Sequence, residues 1–491
     1  MSAHGVPEIV FRARRAVIGA EVVPATVTVS GGIILAVETG PAAPTSPTPA
    51  GTDVVDLGDD VVLLPGLVDT HVHVNEPGRT DWEGFASATR AAACGGVTTL
   101  IDMPLNSSPV TTGPAALDAK LASATGKLHV DAGFWGGAVP ENLGRLRELW
   151  DRGVFGFKCF LLHSGIDEFP PLDDVQMLAA MEEIAGFGGL LIVHAEDAGT
   201  IDAQPPPSGP TYAGFLESRP VAAEVRAVAQ VIDGVRRTGC RTHILHLSAA
   251  DALPLIRDAK AEGLPLTVET CPHYLSLFSE EIQPGATHYK CCPPIREAGN
   301  RERLWEGLRD GTIDLVVSDH SPCVPELKRF DSGDFGQAWG GIASVQLGLP
   351  IIWSEARLRG LGLPDVVRWM SSGPAEFAGL IDRGAIRPGA RADLVVLAPD
   401  EAFVVLPERL QHKNPVTAYA QRALGGVVRD VYLAGRRIDL DGPAAGTTVF
   451  RPASPAPPAP PADPLAPPAD LPTAAPARTG APSLSRTEPL G

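Results

Sequence analysis

Apolar and polar positions change rhythm twice along the chain. From residue 8 to about residue 62, short apolar segments are punctuated by glycine pairs and prolines: Ile9-Val10-Phe11, Val27-Thr28-Val29 and Ile33-Ile34-Leu35. That pattern predicts antiparallel strands joined by turns. Residues 40–51, rich in Pro, Ala and Thr, read as a loop. From residue 61 to about 320, short apolar runs alternate with longer stretches of helical period. There are eight such runs: 61–73, 97–103, 128–135, 154–161, 190–194, 243–247, 266–270 and 313–318. Eight strands alternating with helices predict an α/β fold, a parallel (β/α)8 TIM barrel, whose chemistry sits at the C-terminal strand ends.

Two intervening helices are well marked. One is predicted over about 81–94, with Thr80-x-x-Glu83 as a capping box, Trp82, Phe85, Thr89 and Ala92 on one face, and Gly95-Gly96 closing it. Another follows Pro220, with Val225, Val228, Ile232 and Val235 on one side and Gly239 at its end. After residue 384 strand signals return in 392–397 and 428–433, and Leu433-Ala434-Gly435-Arg436 reads as a turn. These strands complete a small β-sandwich with the N-terminal ones. The expected organisation is therefore sandwich (1–62), barrel (63–384), sandwich (385–450) and a tail (451–491). In the tail 13 of 41 residues are proline and no apolar period exists, so disorder is expected there.

The strand ends carry unusual residues. The first run ends in His71-Val72-His73. Alternate residues of a strand point to one side, so both imidazoles face the same way. The fourth run holds Lys158 in Gly156-Phe157-Lys158-Cys159-Phe160. The fifth ends in His194, the sixth in His246, and the eighth in Ser318-Asp319-His320. Each residue alone has a bland explanation, as a core histidine or a helix cap. Four histidines, a lysine and an aspartate on one rim do not. A buried ammonium is costly and cannot ligate a cation. As a neutral amine, Lys158 can instead capture carbon dioxide as a carbamate, an anion with two oxygens that bridges two metal ions. His71, His73 and Asp319 then hold one ion, and His194 and His246 the other; the donors suit zinc, with iron, manganese and cobalt as alternatives. His243 competes with His246 but faces the other way along the strand. His273 and His320 are expected to play supporting or structural parts, and His163, just past the fourth strand, could approach substrate but is not counted among the site residues.

Composition narrows the function. The chain has 491 residues, 44% hydrophobic and 20% charged, with a net charge of −18. An acidic surface disfavours nucleic acid and anionic membranes as partners. No apolar run approaches the roughly 20 residues that span a bilayer. Residues 1–20 lack the apolar core of a signal peptide. Seven cysteines without zinc-finger spacing point to reduced thiols and a cytoplasmic protein.

The ligand pattern resembles the binuclear amidohydrolase superfamily. Within it, several stretches look like the allantoinase family: Glu76-Pro77-Gly78-Arg79, Asp102-Met103-Pro104-Leu105-Asn106-Ser107, Glu269-Thr270-Cys271-Pro272-His273-Tyr274, Cys292-Pro293-Pro294-Ile295-Arg296, Ser318-Asp319-His320-Ser321-Pro322-Cys323 and Ala338-Trp339-Gly340-Gly341. The resemblance covers about residues 60–435. It implies two divalent metal ions, most simply Zn2+, bridged by Lys158 as N6-carboxylysine. It further implies hydrolysis of the cyclic amide of allantoin, with Asp319 as general base and then general acid. Backbone groups around Cys292, Gly340 and Gly341 are implied to hold the substrate, and a homotetramer is implied as the assembly. Dihydropyrimidinases and hydantoinases share the fold and metals. They usually carry a tyrosine beside the strand-four lysine, whereas Cys159-Phe160-Leu161-Leu162-His163 follows Lys158 here. A non-catalytic scaffold relative would have lost ligands, and none is missing.

Overall fold

A computed structural model describes residues 8–43 and 51–452. The expectation of a disordered tail falls on 453–491, outside the described residues, as does most of the 40–51 loop. Eight parallel strands follow one another around a barrel: Leu67–Val72, Val97–Asp102, Asp131–Phe134, Phe157–Phe160, Leu190–His194, Arg241–Ile244, Leu266–Thr270 and Leu315–Val316. Between strands three and four the link runs through Gly136–Gly137, which pairs with Phe157 and Lys158. Closure comes from a parallel bridge between Val72 and His320, and the His73 N–H donates to the His320 carbonyl at 2.8 Å. Strands one and eight thus join where the first histidine pair stands.

The strands at both chain ends share one eight-stranded sheet. In it Ile9–Ile18, Glu21–Ser30 and Ile33–Thr39 form antiparallel neighbours, and Leu394–Val404 pairs with Ala423–Leu433. Phe11 from the N-terminal part meets Tyr432 from the C-terminal part edge to face, with centroids 4.8 Å apart, so the two ends bury a common core. Ala434 and Gly435 both adopt positive φ in the tight turn before Arg436–Arg437.

Two sequence readings need correction. The apolar run 61–73 is two strands, not one. Val62–Pro65 lies in the accessory sheet, between Ile9–Ile18 and Leu394–Val404, and only Leu67–Val72 enters the barrel. Gly66 makes the turn: its N–H donates to the Asp393 carbonyl, and a side chain there would collide with Thr98. The second correction concerns the first barrel helix, which spans Phe85–Cys94 and has no Thr80 cap. Glu83 is spent elsewhere, on His320 and the Lys413 N–H. Glu76 takes the capping role, accepting the Phe85 N–H at 2.9 Å. The helix after Pro220 runs Val221–Thr238 and ends on left-handed Gly239, as its apolar stripe and glycine predict. The chain beyond the last strand returns to the barrel: Ala132 exchanges hydrogen bonds with Thr447 and Val449, and Arg451 lies over the Trp150 ring.

Candidate metal centre

The C-terminal strand ends bring the six sequence-selected residues to one place. His71, His73 and Asp319 are buried, and a nitrogen of each ring and a carboxylate oxygen lie within 4.8 Å of one another. Asp319 Oδ1 is 3.2 Å from His71 Nε2 and 3.6 Å from His73 Nε2. On the facing side, His194 Nδ1 and His246 Nε2 are 3.0 Å apart. The His246 ring is 5.3 Å from His71 and 4.6 Å from His194, centroid to centroid. Lys158 stands on strand four with 1% of its surface exposed, its amine 5.0 Å from the centre of the Phe160 ring. Phe160 in turn stacks on His194 at 4.7 Å.

The outer nitrogens of three of the four rings are occupied from behind, while His246 Nδ1 is buried without a partner. His71 Nδ1 meets Glu269 Oε1 at 2.5 Å, and His73 Nδ1 meets the Leu105 carbonyl at 2.8 Å. His194 Nε2 meets Glu196 Oε2 at 2.7 Å. An oxygen behind an imidazole holds the proton on that side and leaves the other nitrogen's lone pair pointing inward. His71 Nε2 is buried without a hydrogen-bond partner. His194 and His246 aim two nitrogens at each other, an arrangement that suits a cation between them. The donors therefore fit divalent metal on the protein's own geometry.

Electrostatics agrees. Burial drives the pKa of His71, His73 and His246 well below the usual histidine value, and that of His194 below it, so all four rings are neutral donors. Burial also lowers Lys158 to about 8, which raises the fraction of free amine near neutral pH. Asp319 is pushed up to about 7 by burial, against the pull of Lys158. Two of the six hold backbone conformations that side chains seldom adopt: φ is 36° at His246 and 44° at Asp319. The His246 N–H donates to Glu269, and the Ser321 hydroxyl donates to the Asp319 carboxylate at 2.7 Å, which fixes both turns.

His243 lies behind the centre, with Nε2 on Glu269 at 3.0 Å and Nδ1 on Thr267 at 2.8 Å. His320 is also committed: Nδ1 accepts the Ser344 N–H and Nε2 faces Glu83 at 3.2 Å. His163 reaches the cavity mouth, where Nε2 meets Asp167. Sequence reasoning missed Glu269 and Glu196. Each had a signal: a carboxylate inside an apolar strand run, and a carboxylate two residues after a rim histidine. Glu196 is itself held by Arg219 at 2.5 Å. Burial alone would raise its pKa, but Arg219 and His194 outweigh that and bring it down to about 2.

Above the centre opens a cavity of about 580 Å³. Cys292, Gly340 and Gly341 line it, together with Asn106, Arg219 and Ser321. Gly341 has φ 115°, and a side chain there would strike the Ser321 carbonyl. Its own N–H is spent on the Lys290 carbonyl and its C=O on the Lys328 amine. Among the described residues, the backbone N–H groups of Gly340 and Cys292 donate to no other backbone carbonyl.

A parallel barrel with clustered histidines, a lysine and an aspartate at one rim defines a metal-dependent hydrolase class, and the comparisons agree. The chain belongs to the amidohydrolase family, which it matches over residues 62–438. It is therefore a hydrolytic enzyme that takes a small-molecule substrate, in a family that binds divalent metal. Its relatives within that family include an allantoinase of Streptomyces avermitilis, 57% identical over 435 residues, covering 89% of this chain and 96% of the relative. An allantoinase of Saccharomyces cerevisiae is 47% identical, covering 76% and 82%. Among solved structures, the L-hydantoinase (dihydropyrimidinase) of Arthrobacter aurescens matches with a TM-score of 0.83 at 27% identity, covering 91% of this chain and all of the other. No helix among the described residues is long and apolar enough to cross a membrane.

Proposed function

We propose that the chain hydrolyses the ring amide of allantoin to allantoate, with a binuclear metal centre on the barrel rim. The observation that carries the substrate assignment is the 57% identity to an allantoinase over almost the whole of both chains, against 27% to a hydantoinase. Consistent with that, no tyrosine among the described residues lines the cavity, and Phe160 lies next to Lys158. His71, His73 and Asp319 would hold one ion, His194 and His246 the other. Lys158 would bridge them as a carbamate, formed when the neutral amine nitrogen adds to carbon dioxide and loses one proton. Mixed imidazole and carboxylate donors favour Zn2+. Bound there, the ions supply Lewis-acid polarisation of the amide carbonyl and a water acidic enough to attack near neutral pH.

The chain's own groups do the rest. Asp319 takes the proton of the attacking water and returns it to the ring nitrogen as the C–N bond breaks. The N–H groups of Gly340 and Cys292 donate to the substrate's carbonyl oxygens and orient the ring. A homotetramer and a cytoplasmic location complete the reading; for the second, all seven cysteines are unpaired.

The barrel's likeness to a dihydropyrimidinase favours one rival substrate, dihydrouracil. Purified, metal-loaded protein offered allantoin, dihydrouracil and dihydroorotate side by side decides between them. Allantoin is expected to have by far the highest kcat/KM. Preference for dihydrouracil would reject the substrate while leaving the metal centre intact.

A further inference from the structure

His273 is wholly buried, yet neither ring nitrogen has a hydrogen-bond partner. Buried polar atoms nearly always find one, so a ring with both nitrogens idle calls for an explanation. Tyr274 packs edge-on against it at 4.1 Å, and the ring does not line the substrate cavity. One of its nitrogens, the Cys271 sulfur and a carboxylate oxygen of Asp319 all lie within 4.8 Å of one another. All three residues are buried. Three other buried polar side chains behind the rim are engaged: His243 on Glu269 and Thr267, His320 on Glu83 and Ser344, and Lys120 on Asp102. Thiolate, imidazole and carboxylate together form a donor set for a thiophilic divalent ion.

We propose that Cys271, His273 and Asp319 form an additional cation site, taking a thiophilic divalent ion of the Zn2+, Co2+ or Cd2+ class and sharing Asp319 with the rim centre. Binding forms a metal–sulfur bond and releases the Cys271 thiol proton to solvent, with no change in oxidation state. The shared carboxylate cannot serve this ion and also carry the proton of the hydrolytic reaction, so filling the site inhibits turnover. That consequence rests on the proposed function; occupancy of the site does not.

The test titrates Co2+ into the metal-loaded full-length protein. It reads the near-ultraviolet thiolate-to-cobalt absorption, the metal bound per chain and, in parallel, allantoin hydrolysis. The rim donors include no thiolate, so ions at the rim give no such band, and the substitutions below assign it to Cys271 rather than to another of the seven free cysteines. Wild type is expected to take up one further equivalent with a thiolate band. Cys271→Ser and His273→Gln are each expected to lose the band and to weaken that equivalent at least tenfold. His273→Gln leaves the thiol in place, so the site can be read even if Cys271→Ser does not fold. No band in wild type, or a band that survives either substitution, overturns the site. A band that appears without inhibition overturns the shared-carboxylate consequence. A band with no turnover of allantoin at any cobalt level would instead count against the proposed substrate.

Discussion

Glu269 stands behind His71, its Oε1 2.5 Å from the ring's Nδ1, while its Oε2 lies 3.0 Å from His243 Nε2. One buried carboxylate thus orients a rim imidazole and ties it to a second ring deeper in the barrel. Removing such a partner typically lowers metal affinity about 10- to 100-fold. Glu269→Gln is therefore expected to weaken the ion held by His71, His73 and Asp319 by that order, measured by competition with a coloured chelator. Unchanged affinity would reduce Glu269 to a packing role.

Glu196 does the same for His194 on the opposite side, with Arg219 holding it in place. Glu196→Gln is expected to weaken the His194/His246 ion, again by about 10- to 100-fold. After dialysis against dilute chelator, metal content should fall towards one ion per chain. Loss of both ions together, at the same chelator concentration as in Glu269→Gln, would show that the two carboxylates do not act on separate ions.

Gly341 combines a φ of 115° with the Ser321 carbonyl where a side chain would stand. Gly341→Ala should displace the loop that carries Gly340 across the cavity. A shift of about an ångström in a substrate-positioning group can cost on the order of a hundredfold in rate. The expected result is a drop of roughly ten- to a hundredfold in kcat/KM with metal content unchanged. Equal loss of metal would mean that the loop supports the centre rather than the substrate.

The metal-free protein should weaken on acidification. His243 and His273 are pushed down to about 3 by burial, and His71, His73, His194 and His246 are also lowered. An unfolded histidine titrates near 6.5, so between about pH 5 and 6.5 the unfolded chain binds the extra protons at these rings. Burial lowers three further rings, His129, His288 and His412. It pushes six carboxyls the other way: Asp69 to about 6, Asp319 to about 7 and Glu269 to about 8, with Asp102, Glu224 and Asp393 also raised. Nine imidazoles outweigh six carboxyls, so stability rises with pH across that window. The urea midpoint of metal-stripped protein is expected to fall from pH 6.5 to pH 5; a constant or rising midpoint would contradict the balance.

The barrel was legible because its strands are buried on both faces and read as apolar runs of the right length. The rim residues were legible because a histidine, lysine or aspartate interrupting such a run is conspicuous. Gly66 was not, since the apolar run 61–73 continues through the switch from one sheet to the other, and only a close approach of Thr98 demands the glycine. The Thr80–Glu83 motif misled because its glutamate is claimed by His320, 237 residues away. Glu269 acts across the fold on a ring 198 residues away, which local spacing cannot pair with it, whereas Glu196 stands two residues after His194, where the spacing itself was the signal. The return of residues 446–451 to the barrel rests on backbone pairing with Ala132 and on the contacts of Thr447 with Asp131 and of Arg451 with Trp150, partners some 300 residues away that local spacing cannot pair.

Everything at the rim depends on what Lys158 carries. The most direct measurement is a crystal structure of the metal-loaded protein grown with bicarbonate, at a resolution that separates the atoms around position 158. Continuous density for a carboxylate on its Nζ, one oxygen on each of two ions, is the expected result. A bare amine beside fully occupied metal positions would contradict it.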